Sequence, residues 1–336
     1  MKVGFAIPTF FGSGAIVYVH RLINALEKRY VDTFLLKYSI NKYGIVFKKP
    51  YIDFKELENC DVLHLPSDHA FLFKKLRKKK IITLHHLAFD SEYLKYTNFI
   101  QRLHYTLFLK RYIRKSLDIA DEIIAVSNYT KQSILKTFGN LNIKVIYNGI
   151  DTEKFRPLPP KRKDKNIKLL FVGNLIKRKG VDLLPPIINR LDDNYILYYT
   201  TGLRTGKIFK QRRMFPLEKL SENELIKQYN ECDILLFPTR LEGFGYAVAE
   251  AMACGKPVVT TNCSSLPELV ENGENGFLCE MDNVDDFVEK IKILGDNEEL
   301  RKKIGKTNRE KIFKKFSIEQ MAKQYVKVYK EIINKK

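Results

Sequence analysis

Residues 238–259 read PTRLEGFGYAVAEAMACGKPVV, and this is the most informative stretch of the sequence. It follows an apolar run, turns tightly at Gly243 and Gly245, continues as a helix of small residues to Gly255, and enters a second apolar run. Strand, helix and strand in this order form a βαβ unit, the building block of a parallel sheet. The two loop glycines let backbone amides approach a ligand closely. The helix that begins near Gly245 directs free N–H groups and its positive dipole end to the same place, which favours binding of a diphosphate.

Two carboxylates, Glu242 and Glu250, lie eight residues apart in this stretch, one before the helix and one about two turns into it. This spacing predicts that they are offset along one side of the helix. A carboxylate that accepts hydrogen bonds from neighbouring hydroxyls recognises them strongly and directionally. One of the two can therefore bind a sugar and the other a ribose. The alternative is a helix-capping glutamate together with an ordinary glutamate on the helix face.

Strand and helix signals alternate through both halves of the chain, which indicates an α/β protein with parallel sheets. In the first half, helices are predicted between the strands, including one over 15–28 and a long one near 92–117. The strands predicted there are 2–8, 61–65, 80–85, 122–127 and 143–148. The pattern restarts with strand 168–172, loop 173–180 and a following helix. The later strands are 195–200, 233–237 and 257–260, and two helices, 298–315 and 318–334, end the chain.

A Pro-rich and then charged segment, 157–165, separates the two halves and is predicted to be a linker. We expect two facing Rossmann-like domains, residues 1–158 and 159–315, with helix 318–334 packing back on the first. Doubly wound sheets bind ligands at the carboxyl ends of their strands, so the site is expected in a cleft between the domains.

The chain carries 59 Lys and Arg against 39 Asp and Glu, a formal net charge of +20. Such an excess suits nucleic acid, an anionic membrane surface or a polyanionic substrate, and it is also typical of a solvated lysine-rich surface. The segment 99–115 mixes aromatic and basic residues at helical spacing, and it predicts either a helix lying on an anionic bilayer or a core helix with a basic outer face. Nucleic-acid binding is not expected, because the basic residues lack interleaved stacking aromatics in a known module.

Cysteine and histidine spacing argues against a metal centre. The five cysteines contain no Cys-x-x-Cys pair, and the six histidines form no His-Glu-x-x-His motif, so neither a metal nor another cofactor is expected. The start of the chain is typical of a β-strand and not of a signal peptide. We therefore expect a cytoplasmic protein, with peripheral attachment to the inner face of the cell membrane as the alternative.

The stretch around Glu242 and Glu250 resembles the signature of the family 4 retaining glycosyltransferases, which have the GT-B fold. The resemblance extends over most of the chain. It includes the family's phosphate-binding loop and the segments before the hinge and after the motif: 171–180, 120–127, 147–151, 266–270 and 276–277. It implies transfer of a sugar, with retention of anomeric configuration, from a nucleotide diphosphate sugar to an acceptor hydroxyl on a glycan or a lipid-linked acceptor.

The resemblance also implies roles for individual residues. Glu250 would bind the ribose hydroxyls, Glu242 the donor sugar, and Lys179 the diphosphate whose charge grows as the glycosidic bond breaks. His85 matches a histidine close to the reacting sugar. Taken by itself, His85 at the end of an apolar strand is as often a core histidine. The remaining predicted donor-binding residues are Gly12, Gly14, Asn174, Arg178, Gly243, Phe244 and Gly245.

Several positions depart from the family pattern. Asn174 stands where the phosphate loop usually has arginine, so Arg178 or Lys177 is expected to supply that cation. His86 replaces the aspartate after the family histidine, and Ser264-Ser265 replaces a Gly-Gly pair. The family's Gly-Asp-Gly-Pro stretch is replaced by 201–206, which leaves the nucleotide base open. Two rival functions remain: another GT-B activity such as a sugar-nucleotide epimerase, or a basic nucleic-acid-binding protein with a decayed site.

Overall fold

The computed structural model describes residues 1–8, 14–39, 54–159, 165–202, 209 and 211–335. The chain divides into two compact units, Met1–Gly149 with Ile318–Lys336 and Ile150–Ser317. Each contains a parallel sheet with helices connecting its strands.

The described part of the first unit contains a six-stranded parallel sheet in the order β2-β1-β3-β4-β5-β6. Its strands are Lys2–Pro8 (β1), Asp32–Tyr38 (β2), Val62–Pro66 (β3), Lys79–Leu84 (β4), Glu122–Ala125 (β5) and Ile143–Val145 (β6). The helices between them are Gly14–Glu27 (α1), Lys55–Glu58 (α2), Ser91–Leu94 (α3), Phe99–His104 (α4), Lys110–Leu117 (α5) and Asn128–Phe138 (α6). The interior of β1 is buried, as expected for an apolar strand covered on both faces of a parallel sheet.

The second unit has a six-stranded parallel sheet in its described residues, ordered β12-β11-β10-β7-β8-β9. Its strands are Ile167–Phe171 (β7), Tyr195–Thr200 (β8), Met214–Leu217 (β9), Ile234–Phe237 (β10), Val258–Thr261 (β11) and Phe277–Cys279 (β12). The helices are Leu184–Arg190 (α7), Glu222–Glu231 (α8), Tyr246–Ala253 (α9), Leu266–Leu269 (α10), Val284–Gly295 (α11) and Glu298–Lys315 (α12).

The last helix, Ile318–Asn334 (α13), belongs to the first unit and presents tyrosines to its interior. Tyr329 Oη lies 2.8 Å from Nδ1 of the buried His64, and Tyr325 Oη lies 3.0 Å from Thr83 Oγ1. His64 Nε2 lies 2.8 Å from the same Thr83 hydroxyl. A buried polar group is costly unless it is hydrogen-bonded, so these contacts tie α13 specifically to β3 and β4.

The division between the units falls at Gly149, before the boundary at residue 158 that the sequence predicts. The reason is that residues after Gly149 are built into the second unit. Phe155 is fully buried, and the Arg309 guanidinium donates to the carbonyls of Thr152 and Phe155 at 2.7 and 2.6 Å. Leu158 N–H donates to Asn230 Oδ1 at 2.7 Å, so the start of the predicted linker is also held there. Residues 160–164 of that segment lie outside the described residues.

The predicted long helix near 92–117 is interrupted. After α3 the chain restarts at Asn98, whose side chain accepts the Gln101 N–H while the Gln101 side chain accepts the Asn98 N–H. This reciprocal capping box begins α4. A π-helical turn, Tyr105–Leu109, then joins α4 to α5. Within the described residues, no helix is long and apolar enough to cross a bilayer.

Candidate functional site

The loop between β10 and α9 requires glycine at its end. Gly245 has φ +96°, and a Cβ there would lie 2.9 Å from Leu266 Cδ2. A side chain there would be strained by the backbone conformation and would displace the end of the Leu266 side chain. The amino end of α9 begins directly after this residue, as the sequence predicts. Gly243 and Phe244 belong to the same loop, and the Phe244 side chain is buried.

The predicted phosphate loop, 173–180, packs directly against this motif. Gly180 has φ +70°, and a Cβ there would lie 1.8 Å from the Pro238 carbonyl oxygen. The Arg178 carbonyl accepts the Arg240 N–H at 2.9 Å and the Thr239 hydroxyl at 3.2 Å. The two segments, about 60 residues apart in sequence, are thus joined by one backbone and one side-chain hydrogen bond to the same carbonyl.

The Lys179 ammonium and the Glu242 carboxylate form a close, largely buried ion pair. Lys179 Nζ lies 2.5 Å from Glu242 Oε1, with the two side chains 16% and 11% exposed. The same oxygen accepts the Thr239 hydroxyl at 2.9 Å, and Arg178 Nη1 lies 3.8 Å from it. Lys179 Nζ also lies 5.0 Å from the centre of the Phe237 ring. The sequence motifs predict both residues, and the structure brings them together.

Both members of this pair have lowered pKa values, for different reasons. Burial raises the pKa of Glu242, but Lys179 and Arg178 outweigh it and the pKa falls, so the carboxylate is ionised at neutral pH. Burial lowers the pKa of Lys179, and Glu242 opposes that effect. The adjacent Arg178 lowers it further. The result is an ionised carboxylate held beside two cationic side chains.

Two serines that depart from the family pattern hold the backbone of Glu242. The Glu242 N–H donates to Ser264 Oγ at 2.9 Å, and the Ser265 hydroxyl donates to the Glu242 carbonyl at 3.1 Å. Ser264 has φ +49°, a left-handed conformation that is uncommon for a residue with a side chain. Their contact with Glu242 therefore places the Ser264-Ser265 pair in the site, a role that its sequence position alone does not indicate.

Glu250 is buried in α9 and is held by a tyrosine of α8. Tyr229 Oη donates to Glu250 Oε2 at 3.0 Å, and Tyr229 is itself fully buried. Burial and the neighbouring Glu250 raise the pKa of Tyr229, so its hydroxyl stays protonated. This arrangement fixes one carboxylate oxygen of Glu250. The tyrosine was not predicted, because nothing in the sequence links it to a residue 21 positions later.

The remaining predicted residues of the loop have distinct surroundings. The backbone of Gly173 bonds twice to the Thr200 hydroxyl, at 2.9 and 3.2 Å. Asn174 comes next, and a Cβ on Gly202 (φ +70°) would lie 2.4 Å from its Oδ1. Arg178 Nη1 donates to the Leu241 carbonyl at 2.6 Å, whereas Lys177 is exposed. Of Arg178 and Lys177, Arg178 is therefore the one that lies beside Glu242, at 3.8 Å.

Arg240 is a residue of this region that the sequence interpretation missed. Its side chain is 5% exposed and binds both oxygens of Asp182 at 2.7 and 2.8 Å and Asp282 Oδ1 at 2.6 Å. It also donates to the Lys177 carbonyl. These charge-assisted bonds raise the pKa of Arg240 and clamp the segment that carries Lys179 onto the motif.

His85 lies in the first unit, at the carboxyl end of β4. It lines a cavity of about 110 Å³ whose other polar lining residues are Tyr18, His64, Ser67, Asp68, His69 and Thr83. The Tyr18 ring packs edge-on against it, with the ring centres 4.7 Å apart. Burial, with a smaller effect from His86, lowers the pKa of His85 to about 4, so the imidazole is neutral at pH 7. Gly14 is the first residue of α1, whereas Gly12 lies outside the described residues.

Across the described ranges, no group of three or more His, Cys, Asp and Glu side chains is arranged to hold a metal ion. The five cysteines are all unpaired thiols.

Comparison with known proteins gives two family matches. Residues 34–154 match the model of the Glycosyltransferase Family 4, and residues 203–311 match that of the Glycosyl transferases group 1. The second match includes the loop, both glutamates and helix α9.

Individual relatives extend the similarity over most of the chain. An uncharacterised glycosyltransferase of Methanocaldococcus jannaschii is 36% identical over 315 residues, which is 88% of this chain and 81% of that protein. The N-acetyl-alpha-D-glucosaminyl L-malate synthase of Bacillus anthracis is 25% identical, covering 92% and 86%. Among solved structures, HepE of Anabaena, crystallised with UDP and glucose, superposes with a TM-score of 0.79 at 17% identity, over 98% of this chain and all of that one. That likeness concerns the fold. The chain has the GT-B fold and belongs to the group 1 glycosyl transferases of glycosyltransferase family 4.

Proposed function

We propose that this glycosyltransferase moves a sugar from a nucleotide diphosphate sugar to an acceptor hydroxyl on a glycan or a lipid-linked acceptor, with retention of anomeric configuration. The observation that carries the proposal is the buried pair of Lys179 and Glu242, which joins the phosphate loop to the motif at the amino end of α9. A cation, loop amides and a helix amino end suit a diphosphate, and a carboxylate beside them suits sugar hydroxyls.

In this proposal each residue has one task. Lys179 holds the diphosphate and stabilises the charge on the leaving phosphate, and Arg178 is the second cation. Gly243 and Gly245 allow close approach of the phosphates, and Glu242 receives the donor sugar. Glu250 accepts the ribose hydroxyls while Tyr229 orients its carboxylate. His85, neutral at pH 7, serves as a hydrogen-bonding group for the reacting sugar.

Retention follows if the leaving phosphate deprotonates the acceptor on the same face of the sugar. The bond from the anomeric carbon to the phosphate oxygen breaks as the bond to the acceptor oxygen forms, and the acceptor proton passes to the phosphate. Such a transfer needs no protein nucleophile. Lys179 contributes by stabilising the phosphate as its negative charge grows.

The first test is a thermal-shift screen of the protein against UDP-glucose, UDP-N-acetylglucosamine, GDP-mannose and ADP-glucose. UDP-glucose leads the panel because the structurally similar HepE was also solved with it. A bound donor raises the unfolding temperature by mass action. The selected donor is then incubated with and without candidate acceptors. Nucleoside diphosphate released only when an acceptor is present supports transfer. Conversion of the donor sugar without an acceptor would instead support an epimerase.

The proposal also predicts that transfer requires no divalent ion, because Lys179, Arg178 and the helix amino end already face the diphosphate. Turnover should be unchanged when excess EDTA is added to enzyme and donor. Loss of turnover that magnesium or manganese restores would show that the proposed phosphate site needs a divalent ion.

A further inference from the structure

The helical segment 98–117 of the first unit carries large apolar side chains that face solvent. Phe99 and Ile100 are 78% and 77% exposed. Leu103, Leu107 and Phe108 are 49%, 42% and 38% exposed. These five residues are called here the exposed helix face. Together they form a group of large apolar side chains that remains exposed in the folded protein. Scattered single apolar residues are normal on a protein surface, but a contiguous group marks an interaction site.

The opposite side of the same segment is fully used by the fold. Ile113 and Leu117 are buried in the core of the first unit, and Tyr105 and Leu109 pack against it. The segment therefore packs on the core without using the exposed helix face. The π turn Tyr105–Leu109 adds one residue to the helix and rotates its two halves by about 100° relative to each other. As a result, Leu103 faces solvent although it lies fourteen residues, nearly four regular turns, before the buried Leu117.

Basic residues accompany the exposed helix face. Between residues 93 and 117 the chain contains six Lys and Arg and no Asp or Glu: Lys95, Arg102, Lys110, Arg111, Arg114 and Lys115. Lys110, Arg111 and Lys115 are exposed, and none forms an ion pair with any described residue. Lys74, Lys75 and Arg77 are also exposed and follow the turn that packs on α5, where Phe71 N–H donates to Ser116 Oγ at 3.1 Å.

We propose that the exposed helix face, with Lys110, Arg111 and Lys115, docks this enzyme on the surface of an anionic lipid bilayer. The chemistry of both partners agrees: apolar side chains enter the boundary between headgroups and acyl chains, and cations are attracted to the negative surface. The charge selects this partner over an apolar protein groove. A bilayer is also favoured over nucleic acid, because Ile100, Leu103 and Leu107 of the exposed helix face are aliphatic and offer no ring on which a base could stack. The inference goes beyond sugar transfer, and its test requires neither donor nor acceptor.

The test is co-sedimentation of the protein with vesicles of equal parts phosphatidylcholine and phosphatidylglycerol, and with vesicles of phosphatidylcholine alone. The parent should bind the anionic vesicles, and added salt should weaken that binding. Arg111→Gln with Lys115→Gln should weaken it by about 30-fold, since each surface cation contributes about five-fold. Phe99→Ser with Ile100→Ser should weaken it by at least about ten-fold.

Matched controls lie on α12 of the second unit. Lys303→Gln with Lys306→Gln removes two exposed cations, and Phe313→Ser removes an apolar side chain that is 58% exposed. Both should bind vesicles like the parent. The unfolding temperature of each variant, measured without ligand, checks that it is folded.

Three results would overturn the proposal. The parent could fail to bind anionic vesicles, or it could bind neutral vesicles as well as anionic ones. Alternatively, the helix variants could bind no more weakly than the controls. Capture of a single-stranded RNA that the charge variant loses, with vesicle binding unchanged, would assign the surface to nucleic acid instead. Any of these results leaves the proposed nucleotide binding standing, because Lys179, Glu242 and Glu250 lie in the second unit.

Discussion

Lys179 and Glu242 carry opposite charges that offset each other. In the proposed site, a diphosphate at the amino end of α9 would compete with Glu242 for the Lys179 ammonium, from which Glu242 Oε1 is 2.5 Å away. The competition becomes more favourable to the phosphate as the bond to the sugar breaks, because the leaving group then gains negative charge. An interaction that strengthens in the transition state raises turnover more than it raises donor affinity.

We therefore expect Lys179→Met to lower kcat by a larger factor than it weakens donor binding. Methionine keeps an unbranched apolar side chain as far as Cε and removes the ammonium, including its contact with the Phe237 ring. Donor Kd from calorimetry and kcat from steady-state rates separate the two effects. Equal losses in both would mean that Lys179 binds the ground state and the transition state alike.

Glu242→Gln should separate the sugar from the nucleotide. Removal of the carboxylate charge frees Lys179 for phosphate, so the free nucleoside diphosphate should bind at least as tightly as to the parent. The intact nucleotide sugar should bind about 10- to 150-fold more weakly, because charge-assisted hydrogen bonds to the sugar are lost. Calorimetry with both ligands measures the difference. Equal weakening of both ligands would assign Glu242 to the nucleotide.

The sequence predicted Glu242 and Lys179 as site residues because each belongs to a local motif. It did not predict Ser264, Ser265 or Arg240 as their supports. Those contacts join residues 22 to 63 positions apart, and their geometry depends on how the folded loops pack. Short-range pattern therefore identifies Glu242 and Lys179, whereas the residues that support them become visible only in the structure.

At the level of helices and strands, sequence periodicity identified the interior of each sheet better than its edges. The three strands that it missed, β2, β9 and β12, all lie at sheet edges. Edge strands are covered on fewer sides, so they need no continuous apolar run, and β2 is mostly half-buried or exposed. The interior strands β1, β3, β4, β5, β7, β8, β10 and β11 were all predicted.

Helix α13 offers a stability test of the buried polar network. Tyr329→Phe removes the hydroxyl that pairs with His64 Nδ1 and leaves that buried nitrogen without this partner. The free energy of unfolding should fall by about 1–3 kcal/mol, as for other buried groups that lose a hydrogen bond. Urea denaturation measures the change. Tyr30→Phe, at a side chain that is 98% exposed, is the matched control and should have no effect. Equal stability of the two variants would show that the Tyr329 hydroxyl contributes little.

For the protein as a whole, burial of His64 is expected to lower the free energy of unfolding in acid. Burial, with a smaller effect of His85, lowers the pKa of His64 to about 3, whereas an unfolded chain has histidine near 6.5. Below pH 6.5 the unfolded state therefore binds a proton that the folded state does not. The contribution of His64 is complete above that pH and declines as pH falls towards 3.

The expected slope is about 1.4 kcal/mol per pH unit for this one proton. His64→Gln should destabilise the protein at pH 7, and the difference from the parent should shrink steadily between pH 6.5 and 4. His20→Gln, at an exposed position, serves as the control. Urea denaturation at several pH values measures both. A difference that does not change with pH would mean that His64 is not held neutral by the fold.

We propose that the second unit binds the nucleotide of a sugar donor through Glu250, and calorimetric titration with UDP, GDP and ADP tests this binding. Glu250→Ala should bind the preferred nucleotide about 10- to 150-fold more weakly than the parent, since charge-assisted hydrogen bonds to ribose are lost. Tyr229→Phe controls for the contact that merely holds Glu250 in place, and it should weaken nucleotide binding less. Glu310→Gln, at an exposed glutamate of α12, should bind like the parent. If the parent binds none of the three nucleotides, or Glu250→Ala binds as tightly as the parent, the second unit does not bind a nucleotide donor through Glu250.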